Sequence, residues 1–335
     1  MKKLITILVP IYNEEPNIPN LLEQLDELTK GHIIPILSSG EITSEDLPDL
    51  RDFDWQFLFI NDGSRDRSLE MLLEARKTDP RIDVVNLSRN FGKENAMLAG
   101  FDYARGDATV IIDADLQDPL GVIPEMIAWW QRGFDDVFGK RRTRGRESFL
   151  RKQFSLAFYH ILQGSSKVKI PSNVGDFRLL DRRVILELRQ LRETQRYTKG
   201  LFSWVGYRKK EVLFNRDDRT EGRSSFNFFS LLNLAIEGIT SFTIQPLRIS
   251  MILGLIVSLL SVTYMVYIFI KTLIYGDPVA GFPSLMCVIL FLGGVQLISI
   301  GIIGEYIGRI FGEAKHRPVY IAESLNGEPI SEDKR

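Results

Sequence analysis

The sequence is short of the residues that staple or metallate small proteins. Among 335 residues there is one cysteine, Cys287, and three histidines, His32, His160 and His316. A single thiol excludes an intramolecular disulfide framework and any zinc site with two or more cysteine ligands. Histidines this far apart in sequence speak against a multi-histidine metal centre. An excess of one charge is missing too: 42 Lys plus Arg face 43 Asp plus Glu, a formal net charge of −1. With no global basic field, no nucleic-acid partner is expected. There is no G-x-G-x-x-G after the first strand-like run and no G-x-x-x-x-G-K-[ST] anywhere, which disfavours dinucleotide and P-loop chemistry. Met1-Lys2-Lys3 precedes too brief an apolar stretch for a signal peptide, so none is expected.

What is present is unevenly spread. A mean hydropathy of −0.03 hides two spans without a charge, Ile249–Ile270 (22 residues) and Pro278–Gly304 (27 residues). About 20 helical residues cross a hydrocarbon core, and globular helices seldom run longer without a polar face. Two transmembrane helices are therefore expected over 247–312, with buried core helices as the alternative. Arg219, Arg223 and Arg248 lie before the spans and Arg309, Lys315 and Arg317 after them, while the loop between holds Lys271 and Asp277. The positive-inside rule puts residues 1–222 and a tail, 313–335, both in the cytoplasm. Over 223–246, Phe229, Leu232, Ala235 and Ile236 fall at helical spacing, as in an amphipathic helix lying in the membrane interface or a core helix. Gly304, Gly308 and Gly312 form a small-residue stripe. It suits a homo-oligomer or close packing of the two spans within one chain.

Residues 1–222 alternate strand and helix patterns. Strands are expected at Leu4–Pro10, Phe57–Ile60, Val84–Leu87, Thr109–Ile112 and Asp136–Gly139, and helices at Ile18–Thr29, Arg67–Lys77, Glu94–Arg105 and Pro119–Arg132. That rhythm implies an α/β fold with a doubly wound, mostly parallel sheet, whose ligands sit beyond the carboxyl ends of the strands. Those ends carry Pro10-Ile11-Tyr12-Asn13-Glu14, Asn61-Asp62-Gly63-Ser64-Arg65-Asp66 and Asp113-Ala114-Asp115-Leu116-Gln117-Asp118-Pro119. On an extended strand positions i and i+2 face one side, so Asp113 and Asp115 are expected to face one polyphosphate. A divalent cation, Mg²⁺ or Mn²⁺, would bridge carboxylate and phosphate. Asp118 is better explained as a helix cap.

These strings resemble the inverting glycosyltransferase family 2, and within it the polyprenyl-phosphate branch of dolichol-phosphate mannose synthases and bactoprenol glucosyltransferases. Arg89-Asn90-Phe91-Gly92-Lys93 and Gly175-Asp176-Phe177-Arg178-Leu179-Leu180-Asp181 are similar to two further signatures of that branch. The resemblance implies a GT-A-like fold and a transferase of the cell inner membrane that moves a hexose, foremost glucose, from a UDP-sugar to polyprenyl phosphate. It implies that Pro10, Tyr12, Glu14 and Asp62 hold the uracil and ribose. Asp113 would contact ribose or diphosphate, and Asp115 with Gln117 would hold the metal. Asp176 would stand beside the acceptor, as a general base or as an orienting group. Three features depart from the pattern: an insertion at Gly31–Asp54 read as a surface loop, Asn61 where an acid is usual, and Ser225 where Lys is common.

Seven basic residues between Lys140 and Lys152 face only Glu147. Such a run is either a solvated face or a grip for a phosphate. By resemblance, Arg141 and Arg151 are the residues expected to bind the acceptor phosphate, since guanidinium pairs bidentately with phosphate oxygens. Other donors, a UDP-aminoarabinose derivative or GDP-mannose, stay open, as does a non-catalytic membrane scaffold.

Overall fold

The apolar run Leu4–Ile11 (β1) buries Ile5, Ile7, Leu8, Val9 and Ile11 on both of its faces, which places it in the middle of a sheet rather than at its edge. A computed structural model describes residues 2–38, 40–141, 174–194, 196–214, 245–275 and 281–330. In it β1 runs parallel to β2 (Asp54–Asn61) on one side and to β4 (Ala108–Ile111) on the other, and β3 (Ile82–Leu87) runs parallel to β2. Helices α1 (Ile18–Lys30), α2 (Ser68–Thr78), α3 (Lys93–Tyr103) and α4 (Ile123–Gln131) alternate with these strands. The order β4-β1-β2-β3 reverses beside β1, so the crevice beyond the carboxyl ends of β1 and β4 is the switch point where α/β sheets bind ligands.

The sheet is wider and more mixed than its sequence pattern suggests. Beyond β4 lie β6 (Val174–Asp181), β5 (Asp136–Arg141) and β7 (Lys209–Phe214), with α5 (Arg182–Gln190) and α6 (Thr198–Trp204) between β6 and β7 in sequence. Strand β6 is antiparallel to both β4 and β5. Because Ile111 pairs with Arg178, the start of β6 lies at the carboxyl end of β4, and Asp176 joins the crevice.

Two expectations need correcting here. The tail read as a separate segment instead folds back: β8 (Ala322–Leu325) pairs antiparallel with β3, and β9 (Glu328–Pro329) with β8. Pairing satisfies the edge groups of β3 that water or another chain would otherwise take. The insertion at Gly31–Asp54 is not merely a surface loop. Ile42, Leu50 and Phe53 are buried, and Ser38 donates from its N–H and its hydroxyl to the fully buried Glu125 on α4, at 2.7 and 3.1 Å. Three apolar side chains there supply the core contacts that the Gly, Ser and Pro content of the segment conceals.

Described residues 2–214 and 318–330 make one unit, and 245–317 a second. The second holds two long helices that pack on each other, α7 (Gln245–Tyr275) and α8 (Phe282–Ala314). Among the described residues, Phe291–Ala314 is the one stretch long and apolar enough to cross a membrane. The interfacial helix expected over 223–246 falls almost wholly outside the described residues, as does most of the basic run, Arg151 included.

Candidate active site

Two loops frame the crevice by lacing to each other. After β1, Asn13 takes a positive φ of 56°, accepts the Arg65 N–H at 2.8 Å, and has its own N–H on Ser64 Oγ at 3.0 Å. The Glu14 N–H donates to Ser68 Oγ and the Glu15 N–H to Asp66, which fixes Tyr12 and Glu14 at the rim. Pro10 is half-buried at the end of β1, and the Tyr12 ring is exposed. Beyond β2, Asp62 is buried, and its two carboxylate oxygens accept the N–H groups of Phe91 and Gly92 at 2.7 and 2.9 Å. Burial pushes its carboxyl upward, while those two N–H groups pull the other way. Gly63 has φ 67°, and a Cβ there would stand 2.5 Å from the Arg89 carbonyl carbon, so only glycine lets the β3 loop come this close. Asp62 and Gly63 thus set the start of α3, and with it Lys93.

Lys93 is the site residue that sequence reasoning gave no role. Its Nζ lies 2.6 Å from Asp113 Oδ1 and 2.9 Å from Asp176 Oδ2, bridging the β4 end to β6. Its place at the head of a helix following a strand end was the available signal. Burial works against the ammonium, but Asp176 and Asp113 outweigh it and hold its pKa above the ordinary lysine value. For Asp176, burial pushes the carboxyl up, yet Lys93, Lys199 and Arg178 together keep it below the usual carboxylate range. The other oxygen of Asp176, Oδ1, is buried without a hydrogen-bond partner.

Asp113 and Asp115 do not stand side by side on an extended strand. Strand β4 ends at Ile111, Ala114 and Asp115 form a turn, and Leu116 takes φ 52°. The turn separates the two: Asp113 is half-buried against Lys93, while Asp115 is exposed and accepts the Gln117 N–H at 3.2 Å. Nearby, burial first, and then the charges of Asp115, Asp113 and Asp66, raise the Glu14 carboxyl, which Asn17 partly offsets. Among the described residues, no three His, Cys, Asp or Glu side chains gather closely enough to hold a metal by themselves. Exposed Asp115 beside other carboxylates nonetheless fits an ion of the Mg²⁺ class, which takes one or two protein oxygens and completes its shell from water and substrate phosphate. Arg141, at the end of β5, places its guanidinium against Gly175, where a Cβ would lie 3.5 Å from Nη2. Lys93 joins Asp113 and Asp176, and Glu14 lies within the field of Asp113 and Asp115; Pro10, Tyr12, Asp62 and Gln117 stand on the flanking strand ends and loops, and Arg141 lies beside Gly175.

Comparison with known proteins gives this crevice a context. The family model for glycosyl transferase family 2 matches residues 6–189, and that for the GtrB C-terminal hairpin matches residues 245–310. A Synechocystis protein described as an uncharacterized glycosyltransferase is 44% identical, the match covering 96% of either chain. The bactoprenol glucosyl transferase of Shigella phage SfV is 42% identical over 96% of this chain and 98% of its own. A solved mannosyltransferase from Pyrobaculum calidifontis, in complex with GDP-Man and Mn²⁺, aligns at 15% identity over 66% of this chain and 59% of that one, with a TM-score of 0.40.

Proposed function

The chain belongs to glycosyl transferase family 2, and from that premise we propose that it transfers glucose from UDP-glucose to a polyprenyl phosphate at the membrane, inverting the anomeric carbon. The observation that carries this reading is the convergence of Asp113, Asp176 and Lys93 at the sheet's switch point, in a chain that also holds a pair of long apolar helices. Near-full-length likeness to a protein named bactoprenol glucosyl transferase supports both glucose and the lipid acceptor.

In this reading Pro10, Tyr12, Glu14 and Asp62 hold the uracil and ribose, and Asp113 faces the ribose and diphosphate. Asp115 and Gln117 would hold a Mg²⁺ or Mn²⁺ ion, whose chemistry would be to offset negative charge on a diphosphate leaving group. One oxygen of the acceptor phosphate attacks the anomeric carbon from the face opposite the leaving group. The bond from that carbon to the diphosphate breaks, and its electron pair departs with UDP. A phosphate monoester has its second pKa near 6, so the attacking oxygen is already ionised at neutral pH. The depressed pKa of Asp176 supports an orienting role for it over proton removal. Arg141 and Arg151 grip the acceptor phosphate.

The helices α7 and α8 are proposed as a membrane hairpin, with the transferase unit and both termini on the cytoplasmic side of the inner membrane. The glycine stripe of α8 supports a homo-oligomer. The decisive experiment offers UDP-glucose, UDP-galactose, a UDP-aminoarabinose derivative and GDP-mannose to the detergent-solubilised full chain with undecaprenyl phosphate, with and without chelator. Metal-dependent formation of a β-linked glucosyl lipid from UDP-glucose is expected. Transfer from GDP-mannose alone would overturn the donor, and no transfer to the lipid would overturn the acceptor.

A further inference from the structure

Lys93 joins two carboxylates that arrive by different routes. Asp113 leaves the end of β4, on the donor side of the crevice, and Asp176 opens β6, on the acceptor side. With Nζ at 2.6 Å from one and 2.9 Å from the other, the two carboxylates can be no farther apart than the sum of those distances. Without a cation between them they would repel each other, and both would repel a phosphate. The remaining charges around Asp176 do not make this contact. Arg178 is turned to Asp136, at 3.2 Å, and to the Gly175 carbonyl, at 3.3 Å, with its guanidinium over the Phe202 ring. Lys199, on α6, acts on Asp176 only through its field, and Glu94, half-buried next to Lys93, adds negative charge to the same region. Asp176 keeps one buried oxygen without a hydrogen-bond partner, so Lys93 carries the direct ion pair to this carboxylate.

Resting on the transfer reaction proposed above, we propose that Lys93 is the positioning residue that couples the two halves of the site. It holds Asp113 and Asp176 in one geometry and supplies the positive charge that lets an anionic acceptor come in beside them. The lysine stem rises from a rigid point, because Asp62 fixes the backbone of Phe91 and Gly92 just before it. A lysine that merely tied two loops together would affect stability, whereas a coupling lysine governs use of the acceptor.

The test uses the full-length protein in detergent with undecaprenyl phosphate and the nucleotide sugar that the wild type accepts. Lys93→Met leaves Asp113 and Asp176 without the cation between them, so its melting temperature is expected to fall, and its kinetics are read at a temperature where it is fully folded. It is expected to lower kcat/KM for the acceptor about a hundredfold, while donor affinity changes by less than about threefold. Lys93→Arg, which keeps the charge, is expected to recover at least about a tenth of the wild-type value. In the double variant with Asp176→Asn, loss of Lys93 is expected to add less than about threefold, because one group acts through the other. Unchanged acceptor kinetics in Lys93→Met would overturn the proposal. So would losses that multiply in the double variant, or activity that only tracks melting temperature. If Lys93→Met does not fold, Lys93→Gln is held to the same criteria. A wild type that transfers nothing to the lipid phosphate rejects the underlying reaction; an active wild type with an unimpaired Lys93→Met rejects the coupling role alone.

Discussion

Glu94, the neighbour of Lys93, shows how burial divides the work between adjacent residues. Its side chain turns inward and accepts the Thr198 N–H at 2.9 Å, tying α3 to the start of α6. Burial pushes its carboxyl above the ordinary value, while Thr198 and Lys199 pull it down and Asp176 pushes it further up. A carboxyl raised on folding adds stability below its unfolded pKa and loses that stability as pH climbs through the folded value. Glu94→Gln keeps an acceptor for Thr198 but does not titrate. Its melting temperature relative to wild type is therefore expected to rise as pH climbs from the ordinary glutamate value through the raised folded one; a difference independent of pH would show that Glu94 is not strained by its charge. At this scale the acids were legible because strand ends advertise them: Asp62, Asp113 and Asp115 each follow an apolar run. The bridge from Lys93 was not, since it needs the antiparallel return of β6 to bring Asp176 beside Asp113. The turn at Ala114–Asp115 was hidden for a similar reason, because a positive φ at Leu116 leaves no mark in a leucine.

Among the elements, the most legible were those with an unbroken apolar run or a regular apolar stripe. Strand β1 reads as one apolar run, and α1 shows its buried Ile18, Leu21, Leu25 and Leu28 at helical spacing. Strand β6 carries Asp176, Arg178 and Asp181, and half of its length breaks the apolar pattern. Arg178 is nevertheless buried, because Asp136 and the Phe202 ring receive it. The returning hairpin β8–β9 did have a signal: Asn326-Gly327, with φ 59° and 86°, is the dipeptide that tight hairpin turns favour. Asn326 does more than turn. Its Oδ1 accepts the Val84 N–H at 2.8 Å, and its Nδ2 donates to Asp83 Oδ1 at 3.0 Å, fastening the hairpin to β3. Asn326→Ala forfeits both bonds and places a Cβ-bearing residue without a polar side chain in the left-handed region. The expected cost is about 2–4 kcal/mol, a fall in melting temperature of roughly 5–15 °C. Asn326→Gly keeps the turn and should lose only the hydrogen-bond share. Thermal melts that move by less than a degree in both variants would mean the hairpin is not part of the cooperative unit.

For the whole molecule, the return of the tail has a topological consequence. Strands on either side of α7 and α8 in sequence share one sheet, because β8 pairs with β3 in the same unit as β1. A membrane cannot pass through a hydrogen-bonded sheet, so under the proposed anchoring any crossing between residues 214 and 318 has to be matched by a return. One crossing by α8 alone is thereby ruled out, although Phe291–Ala314 is the described stretch that meets the length and polarity test. If α8 spans, a second element must bring the chain back. Helix α7, 31 residues long with its mid-section Ile249–Ile270 free of charge, is the candidate. The basic residues that flank the two uncharged spans lead to the same expectation, a hairpin with both ends on one side. The lone thiol makes the test clean. In a Cys287→Ala background, single cysteines at Ser44, Asp277 and Glu328 are to be labelled with an impermeant maleimide in intact cells and in inverted vesicles. Ser44 and Glu328 are both exposed on the sheet unit, and Asp277 lies in the sequence between the helices. The cysteines at 44 and 328 are expected to react only in inverted vesicles, and the one at 277 only in intact cells. Labelling of all three from one side would show that neither helix crosses. Labelling of 44 and 328 from opposite sides would break the shared sheet.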